Sequence, residues 1–456
     1  MGERHMSKSV VGESGREYII DKELGKGSQG RVFSIKGGRY AFKLLGKKSG
    51  SKAQILKRKI SYIKTREIND LPISRPLEQV KGEYLGYIME IATDMMPLEN
   101  LLKPTMDAHW LENTGGLKKR LLILEKLSKV LSDLHAKALI YGDLSPRNIF
   151  VSNNPNYSEV FLIDVDNITH QSKVGEAVYT PSYAAPEIVK GQSGSDTYTD
   201  DFSFSIIAYQ LLTLNHPFIG DYVSKGEPEL EEEAYGCDVP WIDHSENDIN
   251  RSSVGLNSTL TISKLMMNEF KNTFEKKLQD KYNRTTTLKW NEVIKRAIGG
   301  LIECPNCESN YFYNKKLMCP FCKHSLDYIG VITIFPLVTN IRQDIADEYN
   351  IKLKSSGLGQ KLLEKIVQPK KNLIITEHDL YLNGSQNELF SIRVDEKSIF
   401  IQGIKQKELS IYKNSKIKSG INISIRIKVS QDDWLILSDD FTSSYQRVLK
   451  VRKFSL

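Results

Sequence analysis

Apolar and polar positions alternate from Tyr18 into the forties, in EYIIDKEL, GRVFSI and RYAFKLL, and this period of two predicts twisted strands. The period then changes. Leu121, Leu124, Leu127, Val130, Leu131 and Leu134 recur at helical spacing within Leu117–His135. Strands first and helices after predict an α+β region, about Tyr18 to Ile298, large enough for two lobes around a sizeable core. A short segment punctuated by four cysteines follows. From Val331 onward NLIITE, DLYLN, LFSIR, SIFIQ, INISIRIKV and DWLILS alternate again between turn signals, which predicts a β-sandwich-like domain or a barrel. The expected division is a flexible 1–17, a first domain over 18–299, a cysteine segment over 300–330 and a β-rich interaction domain over 331–456.

Composition narrows the classes. The 456 residues amount to two or three domains at about 150 residues each. A 40% hydrophobic and 26% charged content excludes a disordered, collagenous or coiled-coil chain. No apolar run approaches the roughly 18 residues of a membrane span. The start, MGERHMSKSV, has no signal-peptide stretch, so a cytoplasmic location without membrane attachment is expected. The net charge of +7 is modest. Lys47 to Arg66 holds eight basic residues and no acid, and the segment from Val331 carries 20 basic against 14 acidic residues. A solvated lysine-rich surface accounts for both, and a nucleic-acid partner stays open beside it.

The chemistry begins at LGKGSQGRVF, with Gly25, Gly27, Gly30 and then Val32. Glycines allow backbone N–H groups to approach phosphate oxygens without a Cβ in the way. The glycines lie in a hairpin and not between a strand and a helix, which disfavours a dinucleotide fold. Ala41 and Lys43 stand on the next strand, where a lysine between apolar neighbours needs an anionic partner. YGDLSPRNIFVS and FLIDVDNI then supply Asp143, Asn148 and Asp164, oxygen ligands for Mg²⁺ with one carboxylate left over as a base.

With these motifs the chain resembles the eukaryotic-like (Hanks-type) protein kinases over roughly Tyr18 to Ile298. TPSYAAPE at Thr180–Glu187 looks like the end of an activation segment. Arg284 stands where the family places the arginine that pairs with that glutamate. The GDLSPRN and IDVDN wording is similar to a bacterial branch, the kinases linked to tellurium-resistance operons or joined to helix-hairpin-helix modules. The resemblance implies a two-lobed kinase fold, with a small lobe at about 18–91 and a large lobe at about 92–299. It implies that Asp143 is the catalytic base, that Asn148 and Asp164 hold Mg²⁺ (or Mn²⁺), and that Lys43 reaches the ATP phosphates. It also implies a glutamate from the first helix to hold Lys43. Glu67, 24 residues on, is expected in that role. Met89 would guard the adenine pocket, with backbone groups of Glu90 and Ala92 binding adenine, and Thr180 would contact the base.

Departures from the pattern carry expectations too. Gly142 replaces the arginine that senses a phosphorylated activation segment, so phosphorylation there is expected to be dispensable. Ser145 replaces the lysine that steadies the γ-phosphate, a task for which Arg147 is available. Val165-Asp166 replaces Phe-Gly, and Asp166 adds a carboxylate near the metals or caps a turn.

Cys304-Pro-Asn-Cys307 and Cys319-Pro-Phe-Cys322 are two Cys-x-x-Cys turns 11 residues apart, predicting a closed, structural zinc ribbon. Cys237 is expected to be inert. The last segment resembles a forkhead-associated sandwich, but its Gly-Arg, Ser and His signature is not evident and no residue is carried over. The expectation is an ATP-dependent Ser/Thr protein kinase that also phosphorylates itself, in bacterial signalling or stress and defence. Its partners are expected to be protein substrates encoded nearby and a phosphatase or adaptor. A pseudokinase scaffold and a nucleic-acid-responsive sensor are the rivals.

Overall fold

The computed structural model describes residues 9–27, 30–47, 51–103, 109–172, 178–276, 278, 280–313, 317–336, 361–380, 385–406, 408–413, 416–431, 433–437 and 447–455. The chain divides into two compact units, Met1–Glu292 and Val293–Leu456.

The first unit opens with strands β1 (Ser9–Val11), β2 (Glu17–Gly27), β3 (Gly30–Ile35) and β4 (Tyr40–Lys47), then helix α1 (Ser51–Lys64), β5 (Pro76–Gln79) and β6 (Tyr84–Glu90). They form one antiparallel sheet in the order β1-β2-β3-β4-β6-β5. Strand periodicity sorts its two faces. Phe42 points to a cluster with Val10, Tyr18, Phe33, Ile35, Val80 and Ile88. Ala41 points the other way, to Leu85, Tyr87 and Met89, where Ala53 and Ile60 of α1 cover the sheet. Residues 9–17, expected to be flexible, are therefore part of the fold: Val10 is buried and pairs with Tyr18. The three-residue strand was too short for periodicity to reveal. Residues 1–8 lie outside the described residues.

The rest of this unit is mainly helical. Helix Gly116–Ala136 buries Leu121, Leu124, Leu127, Leu131 and Leu134 completely, as its stripe requires. Helix Thr197–Thr213 is buried along almost its whole length. Its start is fixed by a capping box: Asp196 Oδ1 accepts from the Thr199 N–H at 2.9 Å, and the Thr199 hydroxyl accepts from the Asp196 N–H at 3.0 Å. Around this helix an aromatic core forms from Phe202, Tyr209, Trp241, Phe270, Phe274 and Trp290, with Phe270 and Trp290 rings 4.7 Å apart.

In the second unit, strands Leu301–Glu303 and Asn310–Phe312 form a hairpin flanked by the cysteine turns. A six-stranded antiparallel sheet built on the pair Tyr328–Pro336 and Arg447–Ser455, and a four-stranded sheet built on Glu388–Val394 and Ile399–Gly403, share one buried cluster that includes Ile332, Ile334, Phe390, Ile392, Ile401 and Leu449. The opposite face of strand Tyr328–Pro336 presents Ile329 and Val331 to Ile302, Tyr311, Leu317 and Leu326 of the hairpin segment. The cysteine segment thus shares a core with the following sheet. Much of the expected domain at 331–456, including 337–360, lies outside the described residues.

Candidate active site

Three segments of the first unit meet around a cleft. Strand β4 brings Lys43, the loop Tyr141–Asn148 brings Asp143 and Asn148, and the turn at Ile163–Asn167 brings Asp164 and Asp166. Asp200 of the buried helix sets the loop. Its two carboxylate oxygens accept from the Tyr141 N–H at 2.7 Å and the Gly142 N–H at 2.9 Å. Gly142 has φ +89°, a left-handed conformation that disfavours the arginine absent here. The Tyr141 hydroxyl donates to the Ile163 carbonyl, which ties the loop to the residue before Asp164. The Ile163 N–H returns a bond to the Asn148 carbonyl at 2.9 Å. Asp164 itself has φ 57° and ψ 51°, so the chain turns sharply at this carboxylate.

The cleft has a volume of about 690 Å³, ample for a nucleotide-sized ligand. Its walls include Gly25, Gly30, Val32, Ala41, Lys43, Met89, Glu90 and Ala92 from the sheet side, and Asp143, Arg147, Asn148, Asp164 and Thr180 from the other. Apolar Leu24, Val32, Ala41, Met89, Phe150 and Ile163 line it, and at one end Asp143 lies close enough to Asp164 to feel its charge. Gly27 ends β2, and Ser28 and Gln29 of the glycine loop lie outside the described residues.

At that end the Thr180 hydroxyl donates to Asp143 Oδ1 at 2.9 Å. The Asn148 side-chain amide donates to the Asp143 carbonyl at 3.0 Å, which leaves its own oxygen as an acceptor. Burial pushes the Asp143 carboxyl above the usual carboxylate range, with the Asp164 charge adding to it, against the lowering bond from Thr180. A carboxylate so raised is a better proton acceptor. Asp164 and the Asn148 oxygen are hard donors of the kind a magnesium ion takes.

Lys43 is nearly buried, and its ammonium lies 2.5 Å from Asp164 Oδ1 and in direct contact with Asp166 Oδ2. Burial pushes its proton affinity down, but the Asp166 and Asp164 charges more than offset this, and the net shift is upward. The expected partner is elsewhere. Helix α1 contains no acidic residue and ends at Lys64, and Glu67 lies in the bend beyond it, exposed to solvent. The expectation followed chain spacing and Glu67 being the single glutamate between Glu23 and Glu78, whereas the carboxylates at Lys43 come from more than 120 residues away. Arg147 reaches the cleft mouth, with 78% of its side chain exposed and Glu99 3.3 Å from it. Ser74 was not anticipated; its hydroxyl donates to the Glu90 carbonyl at 3.3 Å, and both residues line the cleft. No local pattern around Ser74 signals this.

The other cluster is in the second unit. The sulfurs of Cys304, Cys307, Cys319 and Cys322 all lie within 4.8 Å of one another, with Cys304–Cys322 at 3.4 Å and Cys307–Cys319 at 3.7 Å. Four thiolates around a zinc at about 2.3 Å would stand about 3.8 Å apart, so the donors fit a tetrahedral ion. The two turns share one design. Glu308 and Lys323, each following the second cysteine, are left-handed and return an N–H to the first cysteine's carbonyl, at 2.9 and 3.0 Å. His324 contributes its carbonyl to the Cys319 N–H, at 2.8 Å, and its side chain is exposed. Cys237 is buried in the first unit, and burial pushes its thiol far up, which suits an inert residue.

Among the described residues no helix is long and apolar enough to cross a membrane. Residues 18–288 match the family described as Protein kinase domain. The chain is similar to calcium-dependent protein kinase 5 of Plasmodium berghei (29% identity, covering 44% of this chain and 36% of that protein). It is similar to the serine/threonine-protein kinases pkn2 of Myxococcus xanthus (31%, covering 22% and 13%) and PknD of Protochlamydia amoebophila (26%, covering 44% and 23%). The chain therefore spans about a third or less of the length of these relatives.

Proposed function

The chain belongs to the protein kinase family, and on that premise we propose that it transfers the γ-phosphoryl group of ATP to serine and threonine hydroxyls of proteins. The observation that carries this reading is the contact between Thr180 and Asp143 at the carboxylate end of the cleft. A substrate hydroxyl arriving there gives its proton to Asp143, whose proton affinity burial raises. Thr180 holds that carboxylate in one orientation. Lys43 neutralises charge on the nucleotide phosphates, and Arg147, exposed at the cleft mouth beside Glu99, is placed to meet the γ-phosphate. Asn148 and Asp164 would hold magnesium, which supplies neutralisation of phosphate charge when bound. Leu24, Val32, Ala41 and Met89 offer the adenine ring its apolar walls, and the backbone of Glu90 and Ala92 its edge.

The GDLSPRN and IDVDN wording supports a place in the bacterial tellurium-resistance and helix-hairpin-helix group, acting in signalling or stress and defence. The four-thiol cluster is proposed to hold one structural zinc with no open position. Against a pseudokinase scaffold stands the presence of lysine, base, asparagine and aspartate around one cleft. Incubation with ATP and Mg²⁺ followed by phosphosite mapping tests the proposal: phosphoserine and phosphothreonine on the chain or on added protein are expected. Nucleotide binding without any transfer would leave the scaffold reading in its place.

A further inference from the structure

The sheet places Lys43 and Tyr87 directly opposite each other on neighbouring strands β4 and β6. Cross-strand partners project to the same face, a few ångströms apart. Both side chains close on one carboxylate: Lys43 Nζ contacts Asp166 Oδ2, and the Tyr87 hydroxyl donates to Asp166 Oδ1 at 2.8 Å. Tyr87 is fully buried, and the Lys43 and Asp166 side chains are only 7% and 6% exposed. A charge held so far from water must have a fixed purpose or fixed partners.

We infer that Asp166 is the positioning residue for the phosphate-binding Lys43, in place of a carboxylate from helix α1. This deepens the kinase reading and rests on it. Asp164 also touches Lys43, but it is the proposed magnesium ligand and cannot serve as the lysine's permanent partner. Asp166 has both oxygens occupied, one by the lysine and one by the tyrosine, and lies deeper than Asp164, whose side chain is 23% exposed. On the other side, helix α1 presents Ala53 and Ile60 to Tyr87 and carries no acid anywhere along its length. The lysine's anchor therefore belongs to the same turn as the metal-binding aspartate, so displacement of α1 breaks no ion pair at Lys43. Asp166 acts through Lys43 and touches no reacting atom.

The test uses the full chain with Asp166→Asn, Tyr87→Phe, Lys43→Met, the double variant Lys43→Met/Asp166→Asn, and Asp164→Asn and Glu67→Ala for comparison. Misplacing the ammonium by an ångström should cost Asp166→Asn about 100-fold in kcat, more than any change in KM. Tyr87→Phe, which leaves one buried Asp166 oxygen without its donor, should cost about 10-fold and also lower the thermal unfolding midpoint. Glu67→Ala should be unchanged. A readout independent of turnover is calorimetric binding of a non-hydrolysable ATP analogue over a range of Mg²⁺ concentrations. The effect of Asp166→Asn on affinity should differ at least about 5-fold between the chain that keeps Lys43 and the chain that carries Lys43→Met. The Mg²⁺ midpoint should stay at the wild-type value, whereas Asp164→Asn raises it. Additive effects in that cycle would overturn the inference, and so would a Mg²⁺ midpoint raised in Asp166→Asn as in Asp164→Asn, or full activity in both Asp166→Asn and Tyr87→Phe. A wild-type chain that binds the analogue but transfers no phosphate would count against the kinase reading alone, because the binding cycle still decides the role of Asp166.

Discussion

Arg284 and Glu187, 97 residues apart, form a two-point ion pair, with guanidinium nitrogens 2.9 and 2.8 Å from the two carboxylate oxygens. Arg284 also donates to the Leu278 carbonyl at 2.7 Å, and its guanidinium lies 5.0 Å from the Phe202 ring centre. Only 2% of the arginine side chain and 11% of the glutamate side chain are exposed. The pair therefore staples the end of the segment that carries Thr180 to the helical lobe. Removing one partner leaves the other buried and unpaired, so Arg284→Ala should lower unfolding free energy by about 3–5 kcal/mol. Arg284→Lys should recover only part of this, since a point charge cannot reproduce the fork. Chemical denaturation with enzyme assays alongside checks both.

Asp143→Asn should abolish phosphoryl transfer while nucleotide affinity is largely kept, because that carboxylate acts on the incoming hydroxyl. Thr180→Ala should impair transfer more mildly by freeing the Asp143 side chain. Phosphosite mapping paired with nucleotide titration separates the two effects. Undiminished autophosphorylation in Asp143→Asn would remove it from the role of base.

Activation should not require prior phosphorylation. Gly142 offers no guanidinium for a phosphate, and the lysine anchor does not depend on α1. Thr169→Ala and Ser172→Ala are expected to keep basal activity; Ser172 is exposed, and its hydroxyl lies 2.9 Å from His170 Nδ1. A phosphatase-treated chain that stays inactive until another kinase acts on it would contradict this.

His216 predicts an acid limit to stability. Its Nε2–H donates to the Ser182 carbonyl at 2.7 Å, and its Nδ1 accepts from the Phe218 N–H at 3.2 Å, so the neutral ring satisfies both sites. Burial pushes its pKa from 6.5 down to about 4. Between those values the unfolded chain binds the extra proton, so stability is lost as pH falls below 6.5 and the loss levels off near 4. The total is on the order of 3 kcal/mol. Denaturation midpoints across that range should decline in the wild type and flatten in His216→Gln.

Freshly purified protein should contain about one zinc per chain by elemental analysis. Because Cys304 and Cys319 are buried in the same cluster as Ile302, Val331 and Ile366, Cys304→Ser or a strong chelator should destabilise the whole second unit and not only the cysteine turns. Nucleotide binding by the first unit should be unaffected. Absence of zinc from chelator-free protein would exclude the site.

Local information in the sequence was enough for whatever depends on neighbours in the chain. Strand period two places Ala41 and Lys43 on one face and Phe42 on the other, and the leucine stripe of 121–134 is buried as its spacing demands. The Cys-x-x-Cys turns likewise carry their geometry within a few residues. Asp143, Asn148 and Asp164 were legible as a set because glycine loop, lysine and acids follow one another in order around one cleft. Which carboxylate holds Lys43 was not legible. Spacing pointed to Glu67, yet α1 stops three residues short of it, and Asp166 arrives from 123 residues away. The short strand Ser9–Val11 and the core shared between the cysteine turns and the strand Tyr328–Pro336 are of the same kind. Burial of a charge is decided by what surrounds it in space, and in this chain that surrounding is assembled by the β4–β6 pairing that brings Tyr87 and by the distant turn that brings Asp164 and Asp166, to which no short window of sequence has access.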